Sequence, residues 1–167
     1  MVFMLVRKGF VDKDKIWNFV KNLENKLNKE KWNGKDNSSG RKCLWFGVGV
    51  ELGFNCSIFK GEEINDGLRK KCNELWDGED WNSILVYKYD KGIELKDHID
   101  RDIFDNKVVV VNISVDSLLG GDVEFNYGGK IEKLSNGEVI EFDNKILHGI
   151  RKVSNERWSL SIRKIIV

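Results

Sequence analysis

From residue 83 onward the chain alternates short apolar runs with turn residues, a rhythm that predicts strands rather than helices. The runs are 84–89, 108–115, 122–127, 130–134, 139–142, 146–150 and 158–166. Between them stand Asp90-Lys91-Gly92, Gly120-Gly121, Gly128-Gly129, Asn136-Gly137 and Asp143-Asn144, which supply tight turns. The first half has a different period. Ile16, Phe19, Val20, Leu23 and Leu27 predict a helix over 12–29, and Ile64, Leu68, Cys72 and Leu75 predict another over 62–76. Residues 32–41, containing Asn33-Gly34 and Asn37-Ser38-Ser39-Gly40, read as an exposed loop. The glycine-punctuated stretch 43–52 reads as one or two strands.

Many short strands, with helices confined to the first half, predict a mainly β protein with flanking helices (α+β), a sandwich or jelly roll. With 167 residues, a single domain over 1–167 is expected. Residues 1–80 then serve as helical and strand support and as a candidate substrate lid, and 81–167 as the jelly-roll core.

Composition narrows the partners only a little. The formal net charge is +1, so no global field draws the chain to nucleic acid or to an anionic membrane. Local basic runs (Lys29, Lys31, Lys35, Arg41 and Lys42; Arg69, Lys70 and Lys71) read first as solvated surface. Cys43, Cys56 and Cys72 are odd in number and lack metal spacing, which predicts free thiols in a reducing compartment. The apolar residues near the start give way at Arg7 and Lys8, and no apolar stretch is long enough to span a bilayer. A cytoplasmic monomer is expected.

The chemistry is carried by two histidines, His98 in Asp97-His98-Ile99-Asp100 and His148 in Leu147-His148-Gly149. On extended backbone, residues i and i+2 point the same way, so His98 and Asp100 can meet one ion. A jelly roll can bring His148 to the same mouth. Two imidazoles and a carboxylate make the facial triad that binds Fe(II) and leaves coordination positions open. The same donors suit a catalytic zinc. Arg157, nine residues after His148, favours iron, because a strand-borne guanidinium offers a fixed fork for the carboxylate of an acidic cosubstrate. Six residues on, Arg163 faces the same side of that strand.

These residues resemble the Fe(II)/2-oxoglutarate dioxygenases, and within them the AlkB-like group. The likeness rests on His98-Ile99-Asp100-Arg101-Asp102, the distal His148, the run Arg157-Trp158-Ser159-Leu160-Ser161-Ile162-Arg163, and Tyr89 nine residues before His98. The short His148–Arg157 interval, and Gly120-Gly121-Asp122-Val123-Glu124-Phe125, are closer to prolyl-hydroxylase-like enzymes. The resemblance implies a double-stranded β-helix with Fe(II), 2-oxoglutarate and O2 as cofactor and cosubstrates. It implies that His98, Asp100 and His148 hold the metal. Arg157, Tyr89 and Ser159 would bind the distal carboxylate of 2-oxoglutarate, and Arg163 its other end. Asp102 and Arg101 would meet substrate, and Trp45, Phe46 and Phe54 are candidates to stack on a base.

The expected activity is oxidative demethylation or hydroxylation, with succinate and CO2 as coproducts. An alkylated base in single-stranded nucleic acid is the favoured substrate, and a protein side chain or small metabolite the alternative. A non-catalytic jelly-roll module is the rival from another class, and the complete triad speaks against it.

Overall fold

The structure, a computed structural model, describes residues 5–114 and 123–167. The expected Gly120-Gly121 turn, with Val115 and Asp122, lies outside the described residues. In chain order the elements are β1 (Val6–Phe10), α1 (Lys13–Lys21), β2 (Asn28–Lys29), β3 (Lys31–Trp32), β4 (Lys35–Asp36), β5 (Lys42–Glu51), β6 (Ser57–Lys60) and α2 (Asp66–Trp76). Then follow β7 (Ser83–Tyr89), β8 (Leu95–His98), β9 (Phe104–Ser114), β10 (Val123–Tyr127), β11 (Lys130–Leu134), β12 (Glu138–Asp143), β13 (His148–Ile150) and β14 (Arg157–Ile165).

Two sheets face each other. The larger runs β1-β12-β9-β14-β7-β5-β2, with β6 added beside β5, and the smaller runs β11-β10-β13-β8. This is the expected double-stranded β-helix. The helices cover the outer face of the larger sheet, where Val20, Cys72 and Trp76 pack on Ile84, Val86, Val109, Val111, Trp158, Leu160 and Ile162. The inner face meets the smaller sheet through Leu85, Val110, Ile140 and Phe142 against Val123, Phe125, Tyr127 and Ile150. Strands covered on both faces read as near-continuous apolar runs, hence Val108-Val109-Val110-Val111. Among the described residues, no helix is long and apolar enough to cross a membrane.

The helices are shorter than their apolar periodicity. Asp12 caps α1 by accepting from the amides of Asp14 and Lys15, and the helix ends at Lys21 rather than at 29. A 3-10 turn (Glu24–Lys26) follows, and Leu27 is already extended. Leu23 and Leu27 still pack on the cluster that holds Val20, so the spacing outlives the helix. Likewise α2 starts at Asp66, capped by Asn65, because Glu62 is bridged to Phe46 in the sheet. Residues 32–41 are not one exposed loop. Asn33 and Gly34, with φ 52° and 77°, turn β3 into β4, and Arg41 is buried.

Candidate metal centre

His98 ends β8 and His148 starts β13, and the pairing of those strands sets the two residues directly opposite each other. Gly149 makes this close approach possible, since a Cβ there would lie 2.4 Å from Asp97 Oδ1 and 2.6 Å from the Leu95 carbonyl. Asp100 lies past the end of β8, where its amide donates to the Asn144 carbonyl at 3.0 Å. Its Oδ1 is then 3.1 Å from His98 Nε2 and 3.3 Å from His148 Nε2. Each histidine Nδ1 faces a backbone carbonyl at 2.8 Å, that of Lys96 or Ile146. A carbonyl only accepts, so Nδ1 carries the hydrogen and Nε2 presents its lone pair. Three electron-rich atoms thus converge, an arrangement that calls for a shared cation. The three ligand atoms lie within 4.8 Å of one another, close enough to share one ion.

Arg163 donates from Nη1 to Asp100 Oδ2 at 2.6 Å, which holds the outer oxygen and aims Oδ1 at the histidines. Burial opposes the charge of Asp100. The Arg163 guanidinium outweighs it, and the carboxyl sits far below the usual range. Arg163 Nε is buried with no hydrogen-bond partner among the described residues.

The alternation of β14 turns Trp158, Leu160 and Ile162 to the helices and Arg157, Ser159, Ser161 and Arg163 to the interior. These four line a cavity of about 600 Å³ between the sheets, together with Tyr89, His98, Asp100 and His148. Arg157 is held by Asn112 Oδ1, 2.9 Å from its Nε, and its guanidinium lies 4.8 Å from the Tyr89 ring centre. Burial pulls its pKa below the ordinary arginine value. Among the described residues it has no carboxylate partner. An arginine stays protonated nonetheless, so the cavity holds a buried cation in need of an anion.

Sequence reasoning missed a third guanidinium there, beside those of Arg157 and Arg163. Arg41 donates to Glu30 through Nε at 3.0 Å and to the Tyr89 hydroxyl through Nη1 at 3.1 Å. The Tyr87 hydroxyl donates to Glu30 Oε1 at 2.9 Å. Arg41 sits in a basic run that reads as solvated surface. The signal against that reading is its place between the Asn33-Gly34 turn and the apolar stretch from Cys43.

Of the residues expected to meet substrate, Arg101 lines the cavity mouth and donates to the carbonyls of Gly53 and Phe54 at 2.8 and 2.9 Å. The Asp102 side chain is fully exposed outside the cavity lining and lies 3.8 Å from Lys145 Nζ. Trp45 and Phe46 are core residues. Phe54 is 77% exposed, edge-on to Trp32 at 6.0 Å, and Trp32 lines the mouth. A second concavity of about 690 Å³ around Trp45, Phe59 and Lys60 contains neither histidine nor Arg157.

No family model and no curated protein sequence matches the chain. Solved structures do. A prolyl-4-hydroxylase from Pseudomonas putida is similar, with 16% identity and TM-score 0.65 over 99% of this chain and 94% of that one. A prolyl hydroxylase from Trichoplax adhaerens, in complex with a hypoxia inducible factor oxygen degradation domain peptide fragment, has 14% identity and TM-score 0.67 over 98% of this chain and 83% of that one. A 2OG-Fe(II) oxygenase family oxidoreductase from Burkholderia pseudomallei has 13% identity and TM-score 0.58 over 95% and 84%. The chain therefore has the double-stranded β-helix fold of the 2OG-Fe(II) oxygenases, with two histidines and an aspartate gathered at one cavity.

Proposed function

We propose that this protein is an Fe(II)- and 2-oxoglutarate-dependent dioxygenase that hydroxylates a side chain in a peptide segment. One observation carries the reading: three converging metal-ligand atoms share a cavity with a buried guanidinium that lacks a carboxylate partner among the described residues. A catalytic zinc would be satisfied by the same donors but has no use for that guanidinium. The fit to 2-oxoglutarate lies in a cavity lined both by the three residues that would hold a metal and by Arg157.

His98, Asp100 and His148 would hold the iron. The bound iron and 2-oxoglutarate supply dioxygen activation, with decarboxylation to succinate and CO2 and transfer of one oxygen atom to a substrate C–H bond. Arg157 pairs with the distal carboxylate, and a charge-assisted contact of this kind is strong where water is scarce. Tyr89 and Ser159, on neighbouring positions of the same inner face, add hydroxyl donors. Arg163 steadies Asp100 and keeps its unpartnered Nε available to the cosubstrate's near end. Leu85, Val110, Ile140 and Phe142 form apolar walls that exclude water.

A peptide substrate is favoured by the structural likeness to prolyl hydroxylases, one of them solved with a peptide fragment, and by the interval of nine residues between His148 and Arg157. The exposed aromatic pair Trp32 and Phe54 at the mouth favours a second reading, AlkB-like oxidation of an alkylated base stacked on an exposed ring face. Succinate release with Fe(II), ascorbate and 2-oxoglutarate, measured against peptide and methylated oligonucleotide panels, separates the two. Stimulation by peptides alone supports the first reading. Stimulation by oligonucleotides, weakening as salt rises, supports the second. No succinate under any condition, with no iron bound, overturns both.

A further inference from the structure

We propose that Glu30 and Arg41, which lie ahead of the jelly-roll core, are positioning residues for the cosubstrate carboxylate: Arg41 orients the Tyr89 phenol, and Glu30 cancels the charge of Arg41. The inference rests on the 2-oxo-acid reading of the cavity.

Three guanidinium groups line the buried part of that cavity, those of Arg41, Arg157 and Arg163. Asp100 takes Arg163 and Glu30 takes Arg41, which leaves Arg157 as the uncompensated cation. The Glu30 pair is built in from several sides. Glu30 is 4% exposed, and its Oε2 also accepts from Ser39 Oγ at 2.7 Å. The Glu30 amide donates to the Arg41 carbonyl at 2.9 Å, and the Arg41 guanidinium stacks 3.8 Å from the Tyr87 ring centre. A buried ion pair contributes little net stability over apolar side chains of the same volume. Its consequence lies in the cavity it borders.

That consequence falls on Tyr89. A phenol oxygen can accept and can donate a single hydrogen. Tyr89 Oη accepts from Arg41, and no acceptor among the described residues takes its hydrogen. Arg157 carries only donors and lies over the same ring, so the phenolic hydrogen is left for an anion held on Arg157. Without Arg41 the phenol oxygen loses the donor that fixes the direction of its hydrogen, and it donates to a ligand only part of the time. Without Glu30 the pocket end carries a second bare cation, and selection of a single carboxylate is lost.

The test is calorimetric titration of 2-oxoglutarate into Mn(II)-loaded protein, comparing wild type, Glu30→Gln/Arg41→Gln, Tyr89→Phe and the combined triple variant. The pair variant keeps charge balance and near-native shape, so it separates orientation from folding. Both the pair variant and Tyr89→Phe are expected to weaken binding about 10-fold, and the triple variant no further, because Arg41 acts through Tyr89. Unchanged binding by the pair variant, or losses that multiply to about 100-fold in the triple, would overturn the inference. Should the pair variant not fold, Arg41→Lys carries the same expectation, since it keeps a charge beside Glu30 but loses the rigid fork. If wild type itself fails to bind 2-oxoglutarate, the 2-oxo-acid reading falls and this inference with it. Binding by wild type with an indifferent pair variant overturns this inference alone.

Discussion

Arg157 is the residue whose burial is hardest to explain without a ligand. Replacing it with Ala removes a charged hydrogen-bond partner worth about 1.5–3 kcal/mol, so 2-oxoglutarate should bind roughly 10- to 100-fold more weakly. Retained metal binding in the same variant would separate the two functions of the cavity, and an unchanged 2-oxoglutarate affinity would deny the assigned role. The thiols offer an independent check on the packing of the larger sheet. Burial pushes Cys72 up to about 12 and Cys43 up to about 11, with Glu30 adding to the rise at Cys43. Folded thiols thus hold their protons more tightly than unfolded ones. The stability they contribute is whole below the ordinary value of 9.0 and is lost as pH climbs toward 11 and 12. Brief alkylation at pH 8 should leave both unmodified until denaturant is added, because the thiolate is the reactive form. Rapid labelling in the folded chain would contradict the burial. At this scale the candidates that gather at the cavity were legible in the sequence, the triad from its donor types and Arg157 from alternation along its strand. Glu30 and Arg41 were not. Their charges look solvated until a hairpin folds them inward against Tyr87 and Tyr89.

Among the elements, β8 and β13 matter most to the site; β13 falls inside the expected strand 146–150, whereas β8 leaves no mark in the sequence. Leu95–His98 has no apolar alternation, because it is an edge strand whose partner is β13 alone. The exposed strands Val6–Phe10 and Ser57–Lys60 escaped notice for the same reason. By contrast, β7, β12 and β14 matched their apolar runs to within a residue, since burial on at least one face writes the strand into composition. Gly149 is where the two site strands press together. Gly149→Ala should push β8 off β13, spread His98 from His148, and weaken Fe(II) binding at least about 10-fold, at a stability cost of about 1–3 kcal/mol from overpacking. Metal titration with a parallel urea melt checks both. Native metal affinity in that variant would mean that the strand contact does not set the ligand spacing.

For the whole molecule, the jelly-roll expectation succeeded because strand number and turn spacing constrain topology strongly. What spacing alone does not convey is that the cavity draws on both halves of the chain. Glu30, Arg41 and Trp32 from the N-terminal half border the same space as His98, His148 and Arg157 from the core. The first half is thus a wall of the site as well as its support. On the proposed reading one metal and one 2-oxo acid meet between the histidines and Arg157. An anaerobic difference spectrum on adding 2-oxoglutarate to the Fe(II)-loaded protein is the sharpest check. A visible charge-transfer band is expected that saturates at one equivalent, vanishes in Asp100→Ala, and needs far more 2-oxoglutarate in Arg157→Ala. No band in the wild type, or one that persists unchanged in Asp100→Ala, would contradict it.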